Sequence, residues 1–214
     1  MGVRVLHVPA KLSGAVDSGN LSESMKRAAA FLKSSALGKI ASGVPPPNAP
    51  LTAAVKKGTK TLQDRGILRN SIASRSAEAR AEASTNVKYA RIQQEGGTVK
   101  AQGGKKLWIP AGAKTRELQR KYMAAKPGDL INEMRKHGYV FAKSKSGRVF
   151  YAIPPEGKNG KRGTPFALFI LKDSVEIPAR PFLYISEEDE RFIMGIFDGA
   201  VTEKIQERID RNDS

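Results

Sequence analysis

Cysteine is absent from this chain of 214 residues, which removes disulfides, thiolate metal sites and cysteine nucleophiles at once. There are two histidines, His7 and His137, too few for a histidine-based metal centre. Aromatic residues make up 7% of the chain and are not interleaved with its basic loops, as single-strand stacking platforms require. No run approaches the roughly 18 apolar residues of a membrane span. The apolar opening MGVRVLHVPAKL lacks a signal-peptide core of the required length, so a soluble, cytosolic product is expected. Phosphate-binding loops of the GxxxxGK[ST] kind are also missing. Gly157–Gly163 is rich in glycine and lysine, but its spacing is wrong and no convincing helix follows it. The run Glu187-Glu188-Asp189-Glu190 cannot hold one ion, because four consecutive helical carboxylates point to different sides; it reads as the acidic start of a helix. No enzyme, cofactor or metal is expected.

Positive charge is in excess. The net charge is +16, and it is unevenly placed: residues 1–80 carry 13 basic against 4 acidic side chains, residues 81–180 carry 20 against 8, and residues 181–214 reverse to 4 against 9. A basic body with an acidic end suits contact with a polyanion, or head-to-tail contact between unlike surfaces of identical copies. The basic residues cluster in stretches that read as loops: Lys100, Lys105 and Lys106; Lys143, Lys145 and Arg148; Lys158, Lys161 and Arg162. If these loops gather in space they form a surface facing DNA phosphates, without base readout.

The periodicity predicts a first helix over about 20–42, with Leu21, Met25, Ala28 or Ala29, Leu32 and Ala36 on one face. Gly43 to Pro50 ends it as a stiff, polyproline-like spacer. Residues 51–58 read as a short helix, and Asp64 as the cap of a turn holding Leu68. Residues 72–86 read as an exposed strand, and Asn86 to Gly97 as a short helix stopped by two glycines. Thr98–Lys100 and Leu107–Pro110 read as strands joined by a basic loop, Tyr139–Lys143 and Arg148–Ile153 as a hairpin, and Phe166–Ile177 as one central buried strand. Between them, residues 111–136 are polar and helical, with Thr115–Ala125 and Asp129–Lys136 as the pieces, and read as an insertion at a hairpin tip. The last helix, about 187–211, is expected to bury Phe192, Ile193, Ile196, Phe197, Ala200, Val201, Ile205 and Ile209. Its glycines Gly195 and Gly199 either admit another backbone or are merely tolerated.

Glu176 to Phe192, EIPARPFLYISEEDERF, joins two unlike halves. Pro178 and Pro181 lack N–H groups and hold their neighbours extended. Ser186 then caps the acidic helix start. Arg180, fixed between the prolines, is either a strut at the edge of the core or a contact between subunits.

Three separated elements resemble the phage virion morphogenesis family, which includes the tail-completion proteins of Mu-like and P2-like tailed phages. The first is Asp64, Gly66, Leu68, Ser71 and Ile72, with Arg65 where the family has a hydroxyl residue. The second is Asn86, Tyr89, Ala90, Ile92, Gln94, Gly96 and Gly97, with Lys88 replacing a proline and Gln93 a histidine. The third, Ile177-Pro178-Ala179-Arg180-Pro181-Phe182-Leu183, is complete. The resemblance covers about residues 20–110 and 137–210 and leaves 111–136 as an addition.

It implies a structural, non-enzymatic role in the virion, at the neck or the tail end, assembled in the bacterial host cytoplasm. The partners it implies are other copies in a ring, a hexamer by expectation, together with tail-tube and head–neck connector proteins and genome DNA passing through the lumen. No membrane or small-molecule substrate is implied. The alternative function is a basic, non-specific DNA-binding protein. The expected fold is one α+β domain over 1–214, a mostly antiparallel sheet flanked by N- and C-terminal helices, with the helical segment 111–136 inserted.

Overall fold

A computed structural model describes residues 3–5, 18–56, 58–77 and 80–212. The fold is α+β, and every strand pairing in it is antiparallel. Among the described residues the strands form three separate sheets rather than one, and the chain packs as two compact units. The first comprises Met1–Pro47, Lys60–Gly96 and Pro178–Ser214; the second comprises Asn48–Thr59 and Gly97–Ile177. His7 and the opening stretch lie outside the described residues, apart from a short strand at Val3–Val5.

In the first unit, β1 (Val3–Val5), β2 (Ala73–Ala77) and β3 (Arg80–Thr85) form a three-stranded sheet in the order β1-β3-β2. Helix α1 (Ser18–Ser42) packs on it and on the terminal helix α7 (Glu187–Asn212). Met25, Ala28, Ala29, Leu32, Ala36 and Ile40 form the buried stripe of α1. The alanines let the helix approach β3 closely, where Ala81 and Ala83 are also buried. The stretch 72–86 is therefore a hairpin whose first strand is exposed and whose second is central and buried. Small side chains hid this pattern. The C-terminal carbonyls of α1 are capped from a distance: Gln63 Nε2 donates to Ile40 O at 2.7 Å and Lys60 Nζ to Ala41 O at 2.8 Å.

Two further short helices belong here, α3 (Ile67–Asn70) and α4 (Ala90–Glu95). Helix α7 buries Ile193, Ile196, Phe197 and Ala200 as expected, but Phe192 is 56% exposed and stacks on Phe31 with ring centroids 4.1 Å apart. The side chains of Val201, Ile205 and Ile209 lie outside the described set.

The second unit holds α2 (Pro50–Val55) and two sheets. Strands β4 (Gly97–Lys100) and β9 (Ser174–Ile177) pair as a two-stranded ribbon. The other sheet has the order β5-β8-β7-β6, from β5 (Leu107–Pro110), β8 (Phe166–Lys172), β7 (Val149–Ile153) and β6 (Val140–Lys143). The run 166–177 is thus two strands broken at Asp173, each in a different sheet. The first of them is central, as expected.

Helices α5 (Ala113–Lys121) and α6 (Pro127–Lys136) occupy the segment expected to be helical. They do not sit at a hairpin tip, because β5 and β6 form opposite edges of the four-stranded sheet. Nor are they peripheral: Leu118, Leu130, Ile131 and Met134 share a core with Phe150, Leu168, Phe169 and Leu171. Four well-placed apolar residues suffice to bury one face of each helix, although the segment is polar on average.

Candidate functional site

Apart from Gly97 and Ile177, which belong to the second unit, the residues of the three sequence elements lie in the first. Gly66, with φ of +76°, precedes α3 as its N-cap. Asp64 does not cap this turn; it lies two residues upstream and is exposed, whereas a cap must immediately precede the first helical residue. Leu68 and Ile72 enter the core. Ser71 Oγ donates to Leu68 O at 2.7 Å and lies 2.6 Å from Thr85 Oγ1. A hydroxyl has one proton, so Thr85 is the donor between them, and its oxygen in turn accepts Val87 N–H at 3.3 Å. This relay ties the first element to the start of the second. Tyr89 is 45% exposed. Its hydroxyl pKa is raised, chiefly by partial desolvation of the group and secondarily by the charge of Asp64.

The second element grips the third. Gln94 Oε1 accepts the N–H groups of Phe182 and Leu183 at 2.9 and 3.0 Å, and Gln94 Nε2 donates to Leu183 O at 2.9 Å. Beside it, Arg180 N–H donates to Gln93 O at 2.7 Å. Phe182 and Leu183 are thereby lodged in the core with Ala90. Gly96 and Gly97 follow with φ of +72° and +141°, turning the chain out of α4. Gly97 pairs with Ile177, the residue before Pro178.

Arg180 points back at the proline spacer. Its Nε donates to Pro46 O at 2.8 Å and its terminal nitrogen to Pro47 O at 2.9 Å. Prolines offer acceptors and no donor, so this stretch cannot join a strand ladder; a donor-only guanidinium is the complementary partner. Thr61 Oγ1 donates to Val44 O in the same spacer at 2.5 Å. Arg180 is 7% exposed, and burial lowers its pKa. The geometry is that of the strut. Pro178 and Pro181 flank it on exposed backbone.

The start of α7 holds a polar network of which the sequence signalled the Ser186 cap but not its partners from α1. Ser186 and Asp189 cap each other reciprocally, with Asp189 N–H on Ser186 Oγ at 3.2 Å and Ser186 N–H on Asp189 Oδ2 at 2.9 Å. From α1, Ser35 Oγ donates to Asp189 Oδ1 at 2.7 Å and Lys39 Nζ to Oδ2 at 2.6 Å. Lys39 also reaches Tyr184 O at 2.8 Å and lies 4.0 Å from the centre of the Tyr184 ring. Burial alone would raise the Asp189 pKa, but Lys39 and the serine and backbone donors outweigh it and hold it well below the ordinary range. The Ser-x-x-Asp spacing signals the cap; nothing local signals Lys39, which is 150 residues away. Glu187, Glu188 and Glu190 face solvent. Among the described residues, no group of three or more His, Asp or Glu is placed to hold a metal ion.

The three basic loops all belong to the second unit, and the strand order separates them. The 100–106 and 143–148 loops lie at one end of the four-stranded sheet: Leu107 pairs with Lys172, and Leu171 N–H bonds Arg148 O at 2.8 Å. Lys158, Lys161 and Arg162 lie at the other end, where Arg162 donates to Gly138 O at 3.2 Å and Pro154 O at 3.4 Å and pairs with Glu156.

The arrangement defines an α+β fold in which separated sequence elements lock onto one another. The phage virion morphogenesis family model matches residues 8–130, more than half of the chain, and the chain belongs to that family. The matched span includes the first two elements and ends before the third. No curated protein and no solved structure matches the chain. Membership assigns the chain to virion assembly in a phage. Among the described residues, no helix is long and apolar enough to cross a membrane.

Proposed function

We propose that this protein is a non-enzymatic component of the head–tail junction that completes the tail or joins it to the filled head, acting as a ring of identical copies, by expectation a hexamer. Its place is the virion neck or the head-proximal tail end, where it contacts tail-tube and connector proteins. The observation that carries this reading, given the family, is the presence of unlike surfaces on one chain. The α7 start exposes Glu187, Glu188 and Glu190 beside the exposed Phe192 and Met194, whereas residues 97–177 carry 17 basic against 6 acidic side chains. A head-to-tail contact requires such a pair, and closure of the rotation makes a ring.

The test is electron microscopy of lysates from a phage or prophage bearing an early stop codon in this gene. DNA-filled heads separate from free tails are expected, and intact joined particles would overturn the proposal.

A further inference from the structure

The end of the four-stranded sheet that gathers two basic loops carries exposed cations at each of its strand ends, a cationic rim. Across the strand ends it runs from Lys105 and Lys106 before β5, through Lys172 ending β8 and Arg148 before β7, to Lys143 ending β6 and Lys145 after it. Lys100 adds to it, since Ala101 N–H bonds Asp173 O at 2.9 Å and holds the 100–106 loop across the end of β8. Asp173 is the acidic residue set among them, and it pairs with Lys106. Among the described residues, the other six cations are in no ion pair, and all are exposed.

We propose that this rim is a track for the phosphate backbone of duplex DNA. Strands lie about 4.8 Å apart, so four adjacent strand ends span about 14 Å before the loops are added. That length matches several successive phosphates of a duplex strand, which rise about 3.4 Å each. The loop sequences AQGGKK at 101–106 and SKSGR at 144–148 contain no large apolar residue. Protein interfaces have apolar, lysine-poor centres, so this composition suits a phosphate surface and not an interface core. Gly103 and Gly104, with φ of +60° and +67° and open space where a Cβ would stand, leave room for a polymer to lie against the loop. The rim contacts phosphates only, so it carries no base sequence preference. The inference does not depend on the head–tail placement, because it concerns what the rim binds.

The test is fluorescence anisotropy of a labelled duplex of about 30 base pairs, titrated with the full chain at a series of salt concentrations. Each neutralised phosphate contributes about −0.9 to the slope of log K against log salt, so about six net contacts give a slope near −5. The triple variant K105Q/K143Q/K145Q is expected to reduce that slope by about 3 and to weaken binding at least about tenfold at 50 mM salt. The matched variant K136Q/K158Q/K161Q, neutralised at the opposite end of the sheet, is expected to change the slope by less than about 1. Circular dichroism melts, unchanged for these exposed substitutions, separate loss of binding from loss of fold. Absence of duplex binding at low salt overturns the proposal, as do equal effects from the two variants. So does a rim variant that keeps its DNA affinity but changes its sedimentation behaviour, since the rim would then be a contact between copies.

Discussion

Gln94 holds Leu183 by both ends of its peptide contacts: its amide nitrogen donates to Leu183 O at 2.9 Å while its amide oxygen accepts Leu183 N–H at 3.0 Å. Only a side chain with both a donor and an acceptor can do this. Gln94→Glu keeps the size and the acceptor but loses the donor and presents a charged oxygen to Leu183 O. It should destabilise the protein by about 2 kcal/mol, within the range for leaving a partly buried polar group unsatisfied. Gln94→Ala should cost at least as much. Urea denaturation measures both; a midpoint within error of wild type for Gln94→Glu would show that the contact is dispensable.

The interaction of Arg180 with the proline spacer gives a second prediction. Two carbonyls accept from one planar guanidinium, and a lysine ammonium cannot match that fork. Arg180→Lys should therefore recover little of the stability lost in Arg180→Ala. Both should fall by about 2–3 kcal/mol, given that hydrogen bonds from a charged donor contribute about 1.5–3 kcal/mol. Full rescue by lysine would mean that charge alone matters at this position, which would favour a contact with another subunit over the strut.

How much of this was legible beforehand depends on the range of the signal. The α+β class, the helical pieces of 111–136, the glycine stops and the proline-held segment were readable because each depends on residues within a turn or two of one another. The pairing of β4 with β9, and the division of 166–177 at Asp173, were not readable. Both follow from which strand ends meet in space, and a run such as FALFILKDSVEI has the same local pattern whether it serves one sheet or two. The exposed Phe192 was misjudged for a similar reason: a helical stripe marks a face, but where the covering layer ends is a tertiary matter. At the candidate site, the resemblance drew attention to Gln94 and Arg180, yet their partners at Leu183 and Pro46 came only from the fold.

Gly66 and Gly195 should respond oppositely to the same substitution. At Gly66, φ is +76° and an added Cβ would meet only Asn70 Nδ2 at an ordinary 3.5 Å, so the cost of Gly66→Ala is backbone strain of about 1 kcal/mol or more. Gly195 sits in α7 with nothing within 4 Å of the added Cβ. Gly195→Ala should stabilise by about 0.5–1 kcal/mol through helix propensity, and Gly199→Ala should behave alike. Thermal melts decide it. A stabilised Gly195→Ala protein that no longer assembles would identify the glycine pair as a place where another backbone approaches.

Asp189 contributes to the loss of stability in acid. Its pKa in the folded chain lies below the unfolded value of about 3.9, because Lys39, Ser35 and the α7 start all favour the charged form despite burial. A carboxylate with a depressed folded pKa contributes stability that is fully present above the unfolded pKa and is lost as pH falls through the folded one. Wild-type stability should therefore decline from about pH 5 downward, with Asp189 responsible for part of the slope. In Asp189→Asn that part disappears and the curve flattens in this window, although the variant is less stable at neutral pH because Lys39 loses its counter-charge. Denaturation midpoints measured at half-unit steps from pH 7 to 2 test the sign directly. Parallel curves for the two proteins would show that the Lys39–Asp189 pair does not couple folding to protonation.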